Sequence, residues 1–160
     1  MTDEPMTSAK VWDLIERQGE CLFADVDGDR ARIRPMAPII RRDEARIWFF
    51  TDRDSWKVED LDDNSPVTLA FRDASAGWHV VLTGAATAVD DRATATALWS
   101  EVMKQFFDGP DDPRLILIAF DPREAETWTG PGRLVTGLKL AFTAITGKRT
   151  SIGEQRTVPM

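Results

Sequence analysis

The chain has little of what most enzymes use for chemistry. Its 160 residues include one cysteine (Cys21), one histidine (His79) and no tyrosine. A structural zinc site takes about four Cys and His ligands, so these counts exclude one. A single cysteine excludes a disulfide framework within the chain. Catalysis by a tyrosine hydroxyl or by a histidine pair is excluded as well, and a nucleophilic triad would have only His79 for its base. Long apolar runs are also missing. The longest, Leu115–Phe120, is far too short to span a bilayer. Met1–Met6 is polar and no apolar segment follows, so the expectation is a cytoplasmic protein with no leader and no membrane association. If the protein is an enzyme, the hard chemistry belongs to a group that it binds.

Charge of one sign is in excess. Twenty Lys and Arg stand against 27 Asp and Glu, a formal net charge of −7. That argues against a general nucleic-acid binder, whose affinity depends on neutralising phosphates. The excess is uneven. From Thr129 onward five basic residues (Arg133, Lys139, Lys148, Arg149, Arg156) face one acidic residue, Glu154. This segment reads first as a solvated surface, and second as a contact for an acidic partner, a phosphate or a membrane surface.

The hydrophobic pattern predicts one domain over residues 8–148, between a flexible N-terminus (1–7) and a flexible tail (149–160). A helix is expected over 8–18, capped by Ser8 and stopped at Gly19. Cys21–Val26 alternates as a strand, with Leu22, Ala24 and Val26 on one face and Phe23 and Asp25 on the other. Asp27-Gly28 signals a hairpin. The return strand runs from Arg30 to about Ile40, with a bend at Pro35 and Pro38. Ile47–Thr51, Val67–Arg72, Trp78–Val89 and Leu115–Phe120 read as further strands, Gly84 marking a bulge. Helices are expected over Trp56–Asp62, over Arg92–Phe107 behind an Asp90 or Asp91 cap, and over 133–146. In the second of these, Leu98, Val102 and Phe106 make one stripe and Trp99, Met103 and Phe107 another. Hairpin-length connections make the strands antiparallel. Six such strands can curl into a small barrel, so the fold class is mainly β, a six-stranded antiparallel split barrel with flanking helices.

Four groups of residues could carry chemistry. Thr51 ends a strand and Ser55-Trp56-Lys57 opens a helix, where free N–H groups, two hydroxyls and a lysine suit a phosphate. Arg34 could reach the same place as a bidentate clamp. The plainer reading is an N-cap and a surface lysine. His79 begins the long strand beside Trp78, where a lone histidine is more often a bystander than a catalyst. Of the six tryptophans, Trp56 stands apart because it sits in the proposed phosphate loop, while the others read as core or interface. Asp108–Pro113 is rich in carboxylates but lacks EF-hand spacing and reads as a capped turn. Cys21 reads as a small buried hydrophobe.

In this order, Arg34-Pro35-Met36, Ile47–Thr51, Ser55–Val58, Asp63–Val67, Thr83–Ala86, Asp90-Asp91 and Asp111–Pro113 resemble the FMN-binding split barrels related to pyridoxamine 5′-phosphate oxidase, and among them the bacterial general stress proteins. The resemblance implies that Arg34, Met36, Phe50, Thr51, Ser55, Trp56 and Lys57 hold the flavin, its phosphate above all, and that His79 lies near the ring. It implies a homodimer with FMN in the crevice between subunits, so that His79 comes from one subunit and Lys57 from the other. FAD or a deazaflavin is the alternative cofactor. Departures from the family pattern are specific. Phe50 replaces a Tyr and Trp56 replaces a phosphate-loop Arg. His79 replaces a Gln, and the substrate-binding Arg-Leu-His motif of the oxidases has no match. The expected activity is therefore a flavin-dependent oxidoreductase with a substrate other than a vitamin B6 phosphate, or a flavin-binding stress protein without turnover.

Overall fold

The computed structural model of the chain describes residues 5–55, 61, 65–130 and 154–160. The helices expected over Trp56–Asp62 and 133–146 lie outside the described residues, apart from Leu61, which is buried. The elements in chain order are α1 (Ser8–Ile15), β1 (Cys21–Asp27), β2 (Arg30–Met36), β3 (Ile39–Arg41), β4 (Arg46–Asp52), β5 (Ser65–Asp73), β6 (Trp78–Val89), α2 (Arg92–Leu98), β7 (Leu115–Thr129) and β8 (Glu154–Pro159). Short 3₁₀ turns lie at Arg42–Glu44 and Glu101–Gln105.

The strands pair in the order β2-β1-β5-β6-β7-β4-β3, with β8 added on β7, and every pairing is antiparallel. There are thus eight strands where six were expected. Two causes account for the difference. Pro38 cannot donate a ladder hydrogen bond, so the expected Arg30–Ile40 strand is cut into β2 and β3. The tail, expected to be flexible from residue 149, forms β8 from Glu154 because β7 outruns β4 and leaves its Glu124–Thr129 edge open for pairing. The ladder itself is not closed. Its two edges, β2 and β3, are nevertheless joined by only Ala37 and Pro38, a span of about 11 Å at most. The sheet must therefore curl far enough to bring the end of β2 beside the start of β3, the open form of a split barrel.

The interior is filled by Phe23, Ile47, Phe49, Leu69, Phe71, Val80, Leu82, Ile118 and Phe120, with Phe23 and Phe49 edge to face at 5.5 Å. Helix α1 adds Val11, Trp12 and Ile15 to this core. Its cap is Thr7 rather than Ser8, the Thr7 hydroxyl accepting from the Lys10 N–H at 3.3 Å. A second cluster, Trp48, Leu115, Leu117 and Ala119 with Ala95, Leu98 and Phe107, lies on the opposite face of β4 and β7. This explains why Leu115–Phe120 is apolar at every position: both faces of that stretch are covered.

The expected bulge is present between Thr83 and Gly84, and it carries the long β7 through a change of parity. Thr83 pairs with Glu124 and Gly84 with Pro122, so Arg123 is the extra residue. Ile118 and Phe120 face the interior before it, and Ala125 and Thr127 after it. Without the bulge the alternation would aim Glu124 and Glu126 into the core. The Arg123 carbonyl that the bulge leaves over accepts from the Met160 N–H at 3.0 Å, at the end of β8.

On the β1–β2 hairpin the inward set is the polar one. Phe23 pairs with Arg34, Asp25 with Arg32 and Asp27 with Arg30, while Ala31 and Ile33 face out. Val26 and Ile33 are each 63% exposed. The Asp27-Gly28 turn is as expected, Gly28 taking φ +60°.

Candidate functional site

The helix expected over Arg92–Phe107 is two pieces. Asp91 caps α2, its Oδ1 accepting from Ala93 N–H at 2.9 Å and Thr94 N–H at 3.3 Å. The helix ends at Leu98, and Trp99 and Ser100 turn extended before the 3₁₀ segment. Within α2 the Thr96 hydroxyl bonds back to the Arg92 carbonyl at 2.8 Å, a bond that competes with helix propagation. The break lets the Trp99 ring meet Phe50 edge-on at 6.0 Å. It also separates the two stripes. Trp99, Met103 and Phe107 pack on the outer cluster, whereas Val102 and Phe106 are 67% and 60% exposed.

These two side chains form one wall of a cleft of about 530 Å³. Pro35, Met36 and Ala37 at the β2–β3 seam make a second wall, and Phe50, Thr51 and Asp52 at the end of β4 make the floor. Clefts of this size suit small molecules and cofactors. The polar end is well braced. Thr51 is buried and its Oγ1 lies 3.3 Å from Ser55 Oγ. The Ser55 N–H donates to the Asp52 carbonyl at 3.0 Å, and the Asp54 N–H to Asp52 Oδ1 at 2.9 Å. Arg53 ties this turn to neighbouring segments: its N–H donates to the Arg114 carbonyl at 2.6 Å, and its guanidinium to Asp90 at 2.5 Å. The charged residue lining the cleft, among those described, is the carboxylate Asp52.

The structure therefore brings together Met36, Phe50 and Thr51, with Ser55 held against Thr51. It does not bring Arg34 to them. Arg34 is turned into the barrel, paired with Asp25, with its guanidinium carbon 5.2 Å from the Phe23 ring centroid. Nor does it bring His79. His79 is exposed on β6 opposite Trp128, while Thr51 pairs with Ile116. Those two β7 partners are separated by about 40 Å of strand. Trp56 and Lys57 lie outside the described residues. Sequence reasoning missed Val102, Gln105 and Phe106 as cleft residues. The apolar stripe was visible, but periodicity cannot tell a stripe that packs from one that lines an open cleft.

Elsewhere, Cys21 is buried in the core as expected, and burial pushes its thiol up to about 12. The Asp108–Pro113 loop is held by Asp112. This carboxylate accepts from the Arg114 guanidinium at 2.8 Å, the Asp108 N–H at 3.0 Å and the Arg114 N–H at 2.9 Å. The Arg114 bond first, then the two backbone donors, hold it well below the usual carboxylate range. No helix among the described residues is long and apolar enough to cross a membrane.

Eight antiparallel strands in one curled sheet, with a cleft beside the β2–β3 connection, define a split-barrel protein. Comparison with known families places it further. Residues 6–151 match the family described as pyridoxamine 5′-phosphate oxidase like, and the chain belongs to that family. It is 22% identical over 134 residues to general stress protein 26 of Bacillus subtilis (strain 168), covering 82% of this chain and 94% of that one. Among solved structures, a protein described as general stress protein 26 from Jannaschia sp. CCS1 is 27% identical with a TM-score of 0.70, covering 93% of this chain and 94% of that one. The general stress FMN/FAD binding protein of Xanthomonas citri is 24% identical with a TM-score of 0.68, covering 75% and 86%.

Proposed function

We propose that this protein binds FMN in the Met36–Thr51–Phe106 cleft and works as a flavin-dependent oxidoreductase in a general stress response. The observation that carries the reading is the mixed chemistry of this cleft. Thr51, with Ser55 held against it, brings a pair of hydroxyls suited to a phosphate or ribityl chain. Met36, Phe50, Val102 and Phe106 line the same cleft with apolar and aromatic surface suited to a flat ring. Family membership supports the same reading. A bound flavin would supply the electron transfer, and the chain's part is to hold and orient it. Arg53 and Asp52 keep the Thr51–Ser55 hydroxyls in place. Lys57 would supply positive charge for the phosphate, and the Phe106 side would exclude water from the ring.

The reading includes a homodimer. The outward set of the β1–β2 hairpin (Leu22, Ala24, Val26, Ala31, Ile33, Pro35) is uncharged in a chain with 29% charged residues, and much of it is exposed. A second copy on this face would bury it, and would allow one subunit's His79 to meet the other's cleft.

The test is a titration of the purified protein with FMN, followed by flavin fluorescence. Saturation at micromolar FMN is the expected result, and its absence defeats the proposal. Parallel titrations with FAD and a deazaflavin decide the cofactor. The second reading, on which the flavin is bound without turnover, is favoured by the missing Arg-Leu-His motif. It predicts no NAD(P)H oxidation beyond that of free flavin.

A further inference from the structure

The site as described leaves one buried charge pair unused. Arg34 and Asp25 lie on the inner face of the β1–β2 hairpin, with side chains 11% and 2% exposed, and Arg34 Nη2 donates to Asp25 Oδ2. The second carboxylate oxygen of Asp25, Oδ1, is buried with no hydrogen-bond partner among the described residues. A buried carboxylate in this state holds a cation strongly, because losing it would leave an uncompensated charge. Arg32, directly across from Asp25, is engaged by Asp27.

Position along the strand gives this grip its meaning. Arg34 sits opposite Phe23. Asp25 is two residues beyond Phe23 toward the hairpin turn, and Met36 is two residues beyond Arg34 the other way, in the cleft wall. Each step is about 6.6 Å, within the reach of an arginine side chain. The same guanidinium can thus serve the interior carboxylate or an anion in the cleft, and the structure has it on the carboxylate. Asp52, the charged residue lining the described part of the cleft, has the wrong sign for a phosphate.

We propose that Asp25 is a specificity-determining positioning residue. It keeps Arg34 inside the barrel, so the cleft receives a phosphorylated ligand without that arginine. The proposal rests on the flavin reading, and it departs from what the family resemblance implies for Arg34.

The experiment compares wild type with Asp25→Asn, Arg34→Gln and the double variant. FMN and riboflavin are titrated by fluorescence, and the affinity ratio between them reads the phosphate contact. Thermal denaturation with and without inorganic phosphate reads anion binding independently of any flavin. Asp25→Asn should raise the FMN-to-riboflavin ratio by about tenfold, the scale of one charge-assisted hydrogen bond. It should also gain a phosphate-dependent rise in Tm. The double variant should lose both gains, and Arg34→Gln alone should leave the ratio within about twofold of wild type. A ratio that drops tenfold in Arg34→Gln would overturn the proposal, since Arg34 would already be on the phosphate. Asp25→Asn folding with no change in ratio and no phosphate effect would overturn it too. Should Asp25→Asn fail to fold, Arg34→Gln and the double variant, which removes both charges together, still decide it: both must keep the wild-type ratio. If wild type binds neither flavin, the flavin reading fails, and the phosphate-dependent Tm of Asp25→Asn then decides whether Asp25 restrains Arg34.

Discussion

Gly84 is the position where one methyl group should do the most damage. An added Cβ would stand 2.2 Å from the Asp121 carbonyl oxygen and 2.8 Å from Phe120 Cζ. An ordinary carbon–oxygen contact is about 3.3 Å, so the two strands would have to part by roughly 1 Å at the bulge. The closer atom is backbone, which no rotamer change can move. It belongs to the residue whose carboxylate is bound by Arg46 at 2.7 and 3.1 Å, and Phe120 is fully buried. Overpacking costs about 1–3 kcal/mol, and a backbone clash belongs at the upper end. Replacing glycine in a strand returns roughly 0.5–1 kcal/mol. Gly84→Ala should therefore destabilise by about 2 kcal/mol. For a chain of this length that is a fall in Tm of roughly 4–8 °C. The assay is thermal denaturation by circular dichroism beside Gly19→Ala, where an added Cβ meets nothing within 4 Å and the midpoint should hardly move. A Gly84→Ala midpoint within about 1 °C of wild type would refute the close approach, and with it the account of how β7 changes parity.

Three further outcomes follow from the geometry. Phe106→Ala should weaken FMN binding by about tenfold, because it strips an aromatic wall, yet change stability by less than about 0.5 kcal/mol since the ring is exposed; a large fall in the midpoint of urea denaturation would mean the ring is core. Asp112 has a lowered pKa, so its stabilising contribution is complete above the unfolded value of about 4 and is lost as pH falls through the folded one; between pH 5 and 2, Asp112→Asn should lose less stability than wild type. The Cys21 thiol, pushed up to about 12 by burial, should resist alkylation at pH 8 in the folded protein and react promptly once urea unfolds it, as read by mass spectrometry.

Much of the fold was legible because each strand wears its own alternation and its turns carry Gly, Asp or Pro. Cys21–Val26, Trp78–Val89 and the Gly84 bulge could be placed by those signals. The candidate site was legible in its polar half. Thr51 and Ser55 stand four residues apart around a turn, and the structure holds their hydroxyls together. Its apolar half was legible at Met36 and Phe50 but not at Val102 and Phe106, which follow the same period as the buried Leu98.

By itself, then, the amino-acid order determined the strands as far as β7, the antiparallel connections, the bend at Pro38 and the scarcity of catalytic side chains. Tertiary structure decided which of two alternating sets is inside. On β1 and β2, alternation separates Phe23, Asp25 and Arg34 from Leu22, Val26 and Ile33, but it is silent on which set meets the core. The position of Phe23 against Phe49 turns the charged set inward. That choice puts Arg34 beside Asp25 instead of in the cleft, and leaves an apolar face outside. The strand formed by the last residues was likewise decided by the open edge of β7, a partner more than two dozen residues away in sequence that no local pattern could reveal.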